Sequence, residues 1–344
     1  MRYVNIDKVE TGQYLGKAIY SGNGAILLSA GVQLTVYMIN TLNRIGVTML
    51  YIQDENFADI EMEEVLSEAT KQMMIREMSD TFDAVRSGKE WSPNKVAFSI
   101  EQLLEDITSM REVQVQLTDI KTNDNVQYVH AMNVCLLSAM MGMNMGLNQH
   151  QLKDLATGAL LHDVGKFSKI AEDDLEIGSK NHHTWRGFEL IKTKREFNLM
   201  IAHIALQHHE RMDGKGKPRG LNEEEIHVYA RIVATANTYD NLITSKDNGG
   251  QGLLPHQACE EMMAQSDRML DHDVLVEFTR IISVYPNGTG VRLSNKETGV
   301  IVRQHRGLPG RPVVRIVSGS GGDLDVKEID LANATTTFIE AVMM

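Results

Sequence analysis

The chain has little cysteine: two residues in 344, Cys135 and Cys259. Two isolated thiols make neither a disulfide framework nor a thiolate zinc site, and a reducing compartment is their natural setting. Proline is sparse too, at six residues, and there is no low-complexity block. With 42% hydrophobic and 23% charged residues, the composition is that of an ordinary globular protein. Positive charge is in deficit, 34 Lys and Arg against 46 Asp and Glu, a formal net charge of -12. That argues against a nucleic acid polymer or an anionic membrane as partner, since both call for clustered positive charge. A small phosphorylated ligand stays open, because bound metal ions reverse the local sign. The N-terminal "MRYVNIDKVETGQYLG" lacks a basic-then-apolar signal pattern, and no apolar run reaches the length of a membrane span. The expected location is the cytoplasm, unless a partner tethers the chain.

What is present divides along the chain. A length of 344 residues suffices for two or three domains with cores of their own. Residues 1–57 read as a small α+β domain: "KAIYSGNGAILLSAGVQLT" gives a strand, a Gly-Asn-Gly turn and a second strand, Thr35 caps a following helix, and "MLYI" closes as a strand. It holds no catalytic cluster, so a regulatory or structural role is expected. Residues 58–120 form a helical connector, with Val65, Leu66, Met73, Met74, Phe82 and Val85 recurring at spacings near three and four. "SGKEWSPN" interrupts it with turn formers. A connector packed on its own domain is preferred over a dimer seam. Residues 121–285 are helical in nearly every segment, and 286–344 alternate apolar and polar residues between Gly and Asn turns, as a short antiparallel sheet would. The closing "ATTTFIEAVMM" stays unassigned.

Eight of the twelve histidines fall between His130 and His209. A scattered histidine is usually a satisfied core or surface residue, the reading taken for His150, His227, His256, His272 and His305. The others sit in denser contexts: His130 in "YVHAMNV", His162 with Asp163 in "LLHDVGK", His183 in "HHTWRG", His208 and His209 in "LQHHERMDG". A carboxylate beside an imidazole in an apolar run is costly unless both are paired or bind a metal. Neighbours on a helix point about 100° apart, so a His-Asp or His-His pair can reach two adjacent ions. Nitrogen and oxygen ligands without cysteine suit iron, manganese or zinc. Five histidines and an aspartate exceed the four ligands of a closed structural zinc site, which favours a two-metal site. A hydroxide held between two metals is a strong nucleophile near neutral pH, and the ions neutralise charge on a displaced phosphoryl group. Lys166 can meet a phosphate oxygen as a point charge; a solvated lysine at a helix end is the competing reading.

The ordered set "HDVGK", His183 to Gly187 as "HxxxG", and "HHERMDGKGKP" resembles the HD-GYP subgroup of the HD-domain metal-dependent phosphohydrolases over residues 121–285. The resemblance implies a mostly α fold: an all-helical HD-type catalytic domain, with the small N-terminal α+β domain and the β-rich C-terminal extension outside it. It implies two divalent metal ions, iron or manganese ahead of zinc, and hydrolysis of a cyclic dinucleotide, cyclic di-GMP, by a metal-bridging hydroxide. His130, His162, Asp163, His183, His208 and His209 fall on its metal-ligand positions, and Lys166 on its phosphate-contacting lysine. Asp163 and Lys166 are thus the candidate catalytic pair. Asp213 and Gly214 match the loop that shapes the site wall, and His182 is the weaker ligand candidate of its pair.

Four departures matter. Asn237 stands where the family has a metal-binding aspartate; its carbonyl oxygen can coordinate but lacks the charge, so one ion is expected to bind weakly. Asp240, three residues on, is placed to support from behind. The Gly-Tyr-Pro signature reads Gly216-Lys217-Pro218, without the aromatic. Val126 replaces a carboxylate expected to hold a third ion, so two are expected. Lys246 replaces an arginine that meets the guanine nucleotide, keeping the charge without the bidentate fork. The alternatives are a binding or signalling protein that has lost turnover, and a phosphohydrolase on another nucleotide. Beyond the dinucleotide, the expected partner is a second copy of the chain or a signalling protein.

Overall fold

A computed structural model describes residues 1–54, 57–60, 64–110, 114–117, 119–169, 176–244, 252–318 and 325–343. At the N-terminus, β1 (Arg2–Asn5) pairs antiparallel with β4 (Met49–Ile52), Arg2 opposite Ile52. The anticipated hairpin is β2 (Ile19–Tyr20) and β3 (Ile26–Leu28). Helix α1 (Val36–Arg44) starts at Thr35, whose side chain accepts from the Met38 amide at 3.3 Å. "RYVN" is too short to display a strand's alternation, so β1 emerges only through its partner. Leu15, Ile19, Leu34, Leu42, Leu50 and Ile52 form this unit's core, and Ile120, far along the chain, packs into it.

Two helices follow, α2 (Glu68–Ser87) and α3 (Pro93–Ser109). "SGKEWSPN" separates them: Gly88 ends α2 in the left-handed conformation (φ 66°), and Pro93 opens α3, where its missing N–H costs nothing. Their apolar stripes, with Met74, Met78 and Phe82 on α2 and Val96, Ile100 and Leu103 on α3, join one core with the helices that follow. Among the described residues between Ser109 and α4 none is helical, and Val115 bridges Ile282 in parallel.

The main helical body comprises α4 (Val126–Asn144), α5 (Gln149–Leu161), α6 (His183–Lys192), α7 (Leu199–Gln207), α8 (Val228–Thr244), α9 (Pro255–Met263) and α10 (His272–Ile281). Helix α4 is buried on nearly every side from Tyr128 to Gly142, including Met140 and Met141, which fill core as soft apolar side chains do. It is therefore the central helix, and α5, α8 and α10 pack around it.

The tail forms a five-stranded antiparallel sheet: β5 (Gly290–Leu293), β6 (Thr298–Arg303), β7 (Val313–Ser318), β8 (Asp325–Asp330) and β9 (Ile339–Met343), ordered β8-β7-β6-β5-β9. The unassigned "FIEAVMM" supplies β9 against β5. Val291, Leu293, Ile301, Val314 and Leu331 make its core. Tyr3 donates its amide to the Gly288 carbonyl at 3.0 Å, joining N-terminal and C-terminal units. Among the described residues, no helix is long and apolar enough to cross a membrane.

Candidate metal centre

The five histidines and the aspartate come from four places. His130 lies one turn into α4, His162 and Asp163 follow α5, His183 opens α6, and His208 and His209 follow α7. A 3-10 turn, Val164–Phe167, carries the chain away from Asp163. Gly165 sits in that turn because no side chain fits there: a Cβ would lie 1.9 Å from the His183 carbonyl oxygen and 2.5 Å from the Gly187 amide nitrogen. The glycine of "HDVGK" thus lets the start of α6, and with it His183, close on Asp163.

Ligand atoms of Asp163, His183, His208 and His209 lie within 4.8 Å of one another, and so do those of His130, His162 and Asp163. Asp163 belongs to both groups. Its Oδ1 faces the Nε2 atoms of His183 at 3.4 Å and His208 at 3.5 Å, while Oδ2 faces those of His162 at 3.4 Å and His130 at 3.6 Å. The two carboxylate oxygens therefore point at opposite halves of one cluster.

Backbone geometry decides which ring nitrogen is available. His162 donates from Nδ1 to the Ala159 carbonyl at 2.7 Å, and His208 does the same to Ala205 at 2.9 Å. Both use the orphan carbonyl three residues back at a helix C-terminus, which leaves Nε2 unprotonated and turned inward. His130 is fixed from behind: its Nδ1 donates to Asp240 Oδ2 at 2.7 Å. A carboxylate behind an imidazole in this way orients the ring and makes Nε2 a better donor to a metal. His182 is spent otherwise, its Nδ1 accepting from the Thr184 amide as the cap of α6.

The electrostatics agree. Burial lowers the pKa of His162, brings His208 down to about 3 and holds His209 well below its usual value, with neighbouring imidazoles adding to the effect at His208 and His209. These rings are neutral near pH 7 with lone pairs free. His130 goes the other way: burial would lower it, but the Asp163 and Asp240 carboxylates raise it. Asp163 stays ionised despite burial, because His162 and Lys166 hold its carboxyl well below the usual range. Among the described residues, the buried His208 Nε2 and Asp163 Oδ1 have no hydrogen-bond partner. Buried polar atoms are rarely left so, and inward-facing nitrogen and oxygen donors without cysteine fit a divalent cation.

The other candidates are placed differently. Lys166 is about half exposed, its ammonium 2.5 Å from Asp163 Oδ2. Asp213 joins neither ligand group; Arg211 grips both of its oxygens, at 3.0 and 2.6 Å, and lowers its pKa. Lys217 donates its amide to the His209 carbonyl at 2.9 Å, so the loop returns to the site through its backbone. Asn237 is buried on α8, its Oδ1 accepting from Asn241 at 2.8 Å. Val126 opens α4 and lines a cavity beside the N-terminal unit. Lys246 lies outside the described residues. Sequence reasoning missed Asn133, which donates to Asp240 Oδ1 at 2.8 Å, and Lys121, which binds both Asp240 oxygens. Neither carries a motif, and 119 residues separate Lys121 from Asp240.

A helical bundle that gathers His and Asp side chains into two adjoining ligand groups with one shared carboxylate defines a class of metal-dependent protein. A family model described as an HD domain matches residues 102–274, and one described as a KOW domain associated with HD domain matches residues 290–344. The chain belongs to the HD-domain family. It is similar to a cyclic di-GMP phosphodiesterase of Pseudomonas aeruginosa, 26% identical over 268 residues, covering 74% of this chain and 64% of that protein. It is similar to the cyclic di-GMP phosphodiesterase response regulator RpfG of Xanthomonas campestris, 30% identical over 169 residues and covering 44% of each. A 3'3'-cGAMP-specific phosphodiesterase of Vibrio cholerae is 27% identical over 165 residues, 46% of this chain and 38% of that one. The chain spans less than two thirds of the length of these relatives.

Proposed function

We propose that this protein is a metal-dependent phosphodiesterase acting on a cyclic dinucleotide, with cyclic di-GMP the first choice of substrate. The observation that carries the reading is the position of Asp163, one oxygen in each of two adjoining ligand groups. Relatives named for cyclic di-GMP and for 3'3'-cGAMP support the substrate class. His130, His162, Asp163, His183, His208 and His209 would hold two ions, iron or manganese ahead of zinc, and Asn237 would be at most a weak, uncharged ligand. Bound metals there would supply an activated water and neutralise charge on the phosphoryl group.

The chain's own residues do the rest. Asp163 holds its charge in a buried place and so fixes where cations sit. The carbonyls of Ala159 and Ala205 keep the Nε2 lone pairs of His162 and His208 aimed inward. Lys166, at the exposed edge, leaves Asp163 to meet a phosphate oxygen when substrate arrives. Asp213 is assigned to the substrate-facing wall, through the loop that Arg211 braces, and Lys246, by the resemblance, to contact with the guanine nucleotide.

Asn237 favours a second reading, a dinucleotide-binding signalling protein with little or no turnover. Purified protein loaded with iron or manganese and mixed with cyclic di-GMP or 3'3'-cGAMP should yield new products on a column. Binding of either ligand without conversion, across iron, manganese and zinc, would replace the enzyme by the binding protein.

A further inference from the structure

The segment ahead of α4 is held by the N-terminal unit at most of its residues and, at Asp119, by α2. Ile120 is buried in that unit's core, and Asp119 pairs with Lys71 at 2.7 Å. The Asn123 amide donates to the Ile45 carbonyl at 2.8 Å, Asp124 Oδ2 accepts from the Gly22 amide at 3.0 Å, and Asn125 Nδ2 donates to the Tyr20 carbonyl at 2.8 Å. Gly46 makes this approach possible, since a Cβ there would lie 2.2 Å from Asn123 Oδ1 and its φ is +92°.

From the middle of this clamped segment Lys121 reaches into the helical body. Its ammonium donates to Asp240 Oδ1 at 2.8 Å and Oδ2 at 2.9 Å, and to Thr244 Oγ1 at 2.5 Å. Asp240 is fully buried and is the carboxylate behind His130. Lys121 also forms part of the wall of a cavity of about 390 Å³ between the two units.

We infer that Lys121 is a positioning residue through which the N-terminal unit holds Asp240, and hence His130, in place at the candidate metal centre. The inference rests on the metal-centre reading for its consequence, but its geometry, Lys121 to Asp240 to His130, stands without turnover. The N-terminal unit thereby sets how well one of the two ligand groups is formed.

Removing a partner behind a metal-binding histidine typically weakens binding by about 10- to 100-fold. Calorimetric titration with Mn²⁺ of the full chain should show that loss in Lys121→Met at one of two sites, with the other unchanged. Lys121→Arg, which keeps the charge and the reach, should recover most of it. Gly46→Ala, which displaces Asn123 without touching the helical body, should weaken the same site. In protein stripped of metal, the His130 ring ¹⁵N signals should move in Lys121→Met and return in Lys121→Arg. Unmoved His130 signals, or two Mn²⁺ sites of wild-type affinity in Lys121→Met, would overturn the inference. Wild-type protein that binds two Mn²⁺ and converts no dinucleotide would sink the phosphodiesterase reading and leave this one standing.

Discussion

The two ligand groups that share Asp163 are built in contrasting ways. Asp163, His183, His208 and His209 come from one stretch of chain, set by the ends of α5 and α7, the start of α6 and the close approach at Gly165. The other group joins His162 and Asp163 to His130 on α4, and His130 is held through Asp240 on α8 and Lys121 ahead of α4. One group is assembled by local turns and the other by long-range packing. The second should therefore be the more easily disturbed, and the more easily regulated.

The harshest test is Asp163→Ala, which removes the carboxylate common to both groups. Metal content by mass spectrometry should fall from about two ions per chain to nearly none, and turnover with it. Full metal content in that variant would refute the assignment. Next, His208→Ala and His130→Ala should each cost about one ion, but only His208→Ala should disturb the group set by local turns. If either variant lost both ions, the contrast between the groups would be false.

Gly165→Ala attacks the local group through packing. The added Cβ meets backbone, which cannot swing aside as a flexible side chain would, so about 1–3 kcal/mol of stability should be lost, visible as a lower Tm. A smaller effect belongs to the clamp beneath the long-range group, where Glu64 lies between Lys17 and Lys71, each at 2.6 Å. Burial would raise its pKa, but the two ammonium groups outweigh this and the net shift is downward. A depressed carboxyl contributes stability above its unfolded value and loses it as the pH falls through the folded one. Urea midpoints should therefore drop below about pH 4.5, and less steeply in Glu64→Gln. Identical acid limbs would show that Glu64 does not anchor the clamp.

Much of this was legible beforehand, for identifiable reasons. "HDVGK" and "LQHHERMDG" mark candidate ligands because buried imidazole beside carboxylate is costly to leave idle. The hairpin at Gly24 and the cap at Thr35 follow from local backbone chemistry, and the structure shows both. β9 stayed hidden because its strand character lies in pairing with β5, nearly fifty residues earlier. The helices of residues 68–109 gave their period but not their destination, which is the core around α4.

Residue types and spacing alone settled the helical class, the unusual density of candidate ligands and the want of charge at position 237. Only tertiary structure decided that Asp163 is shared, that Asn237 is engaged with Asn241 and that Lys121 stands behind Asp240. The physical reason is range. Turns, caps and helical periods are fixed within a few residues, whereas a hydrogen bond between side chains 119 positions apart exists only once two separately built units have closed on each other.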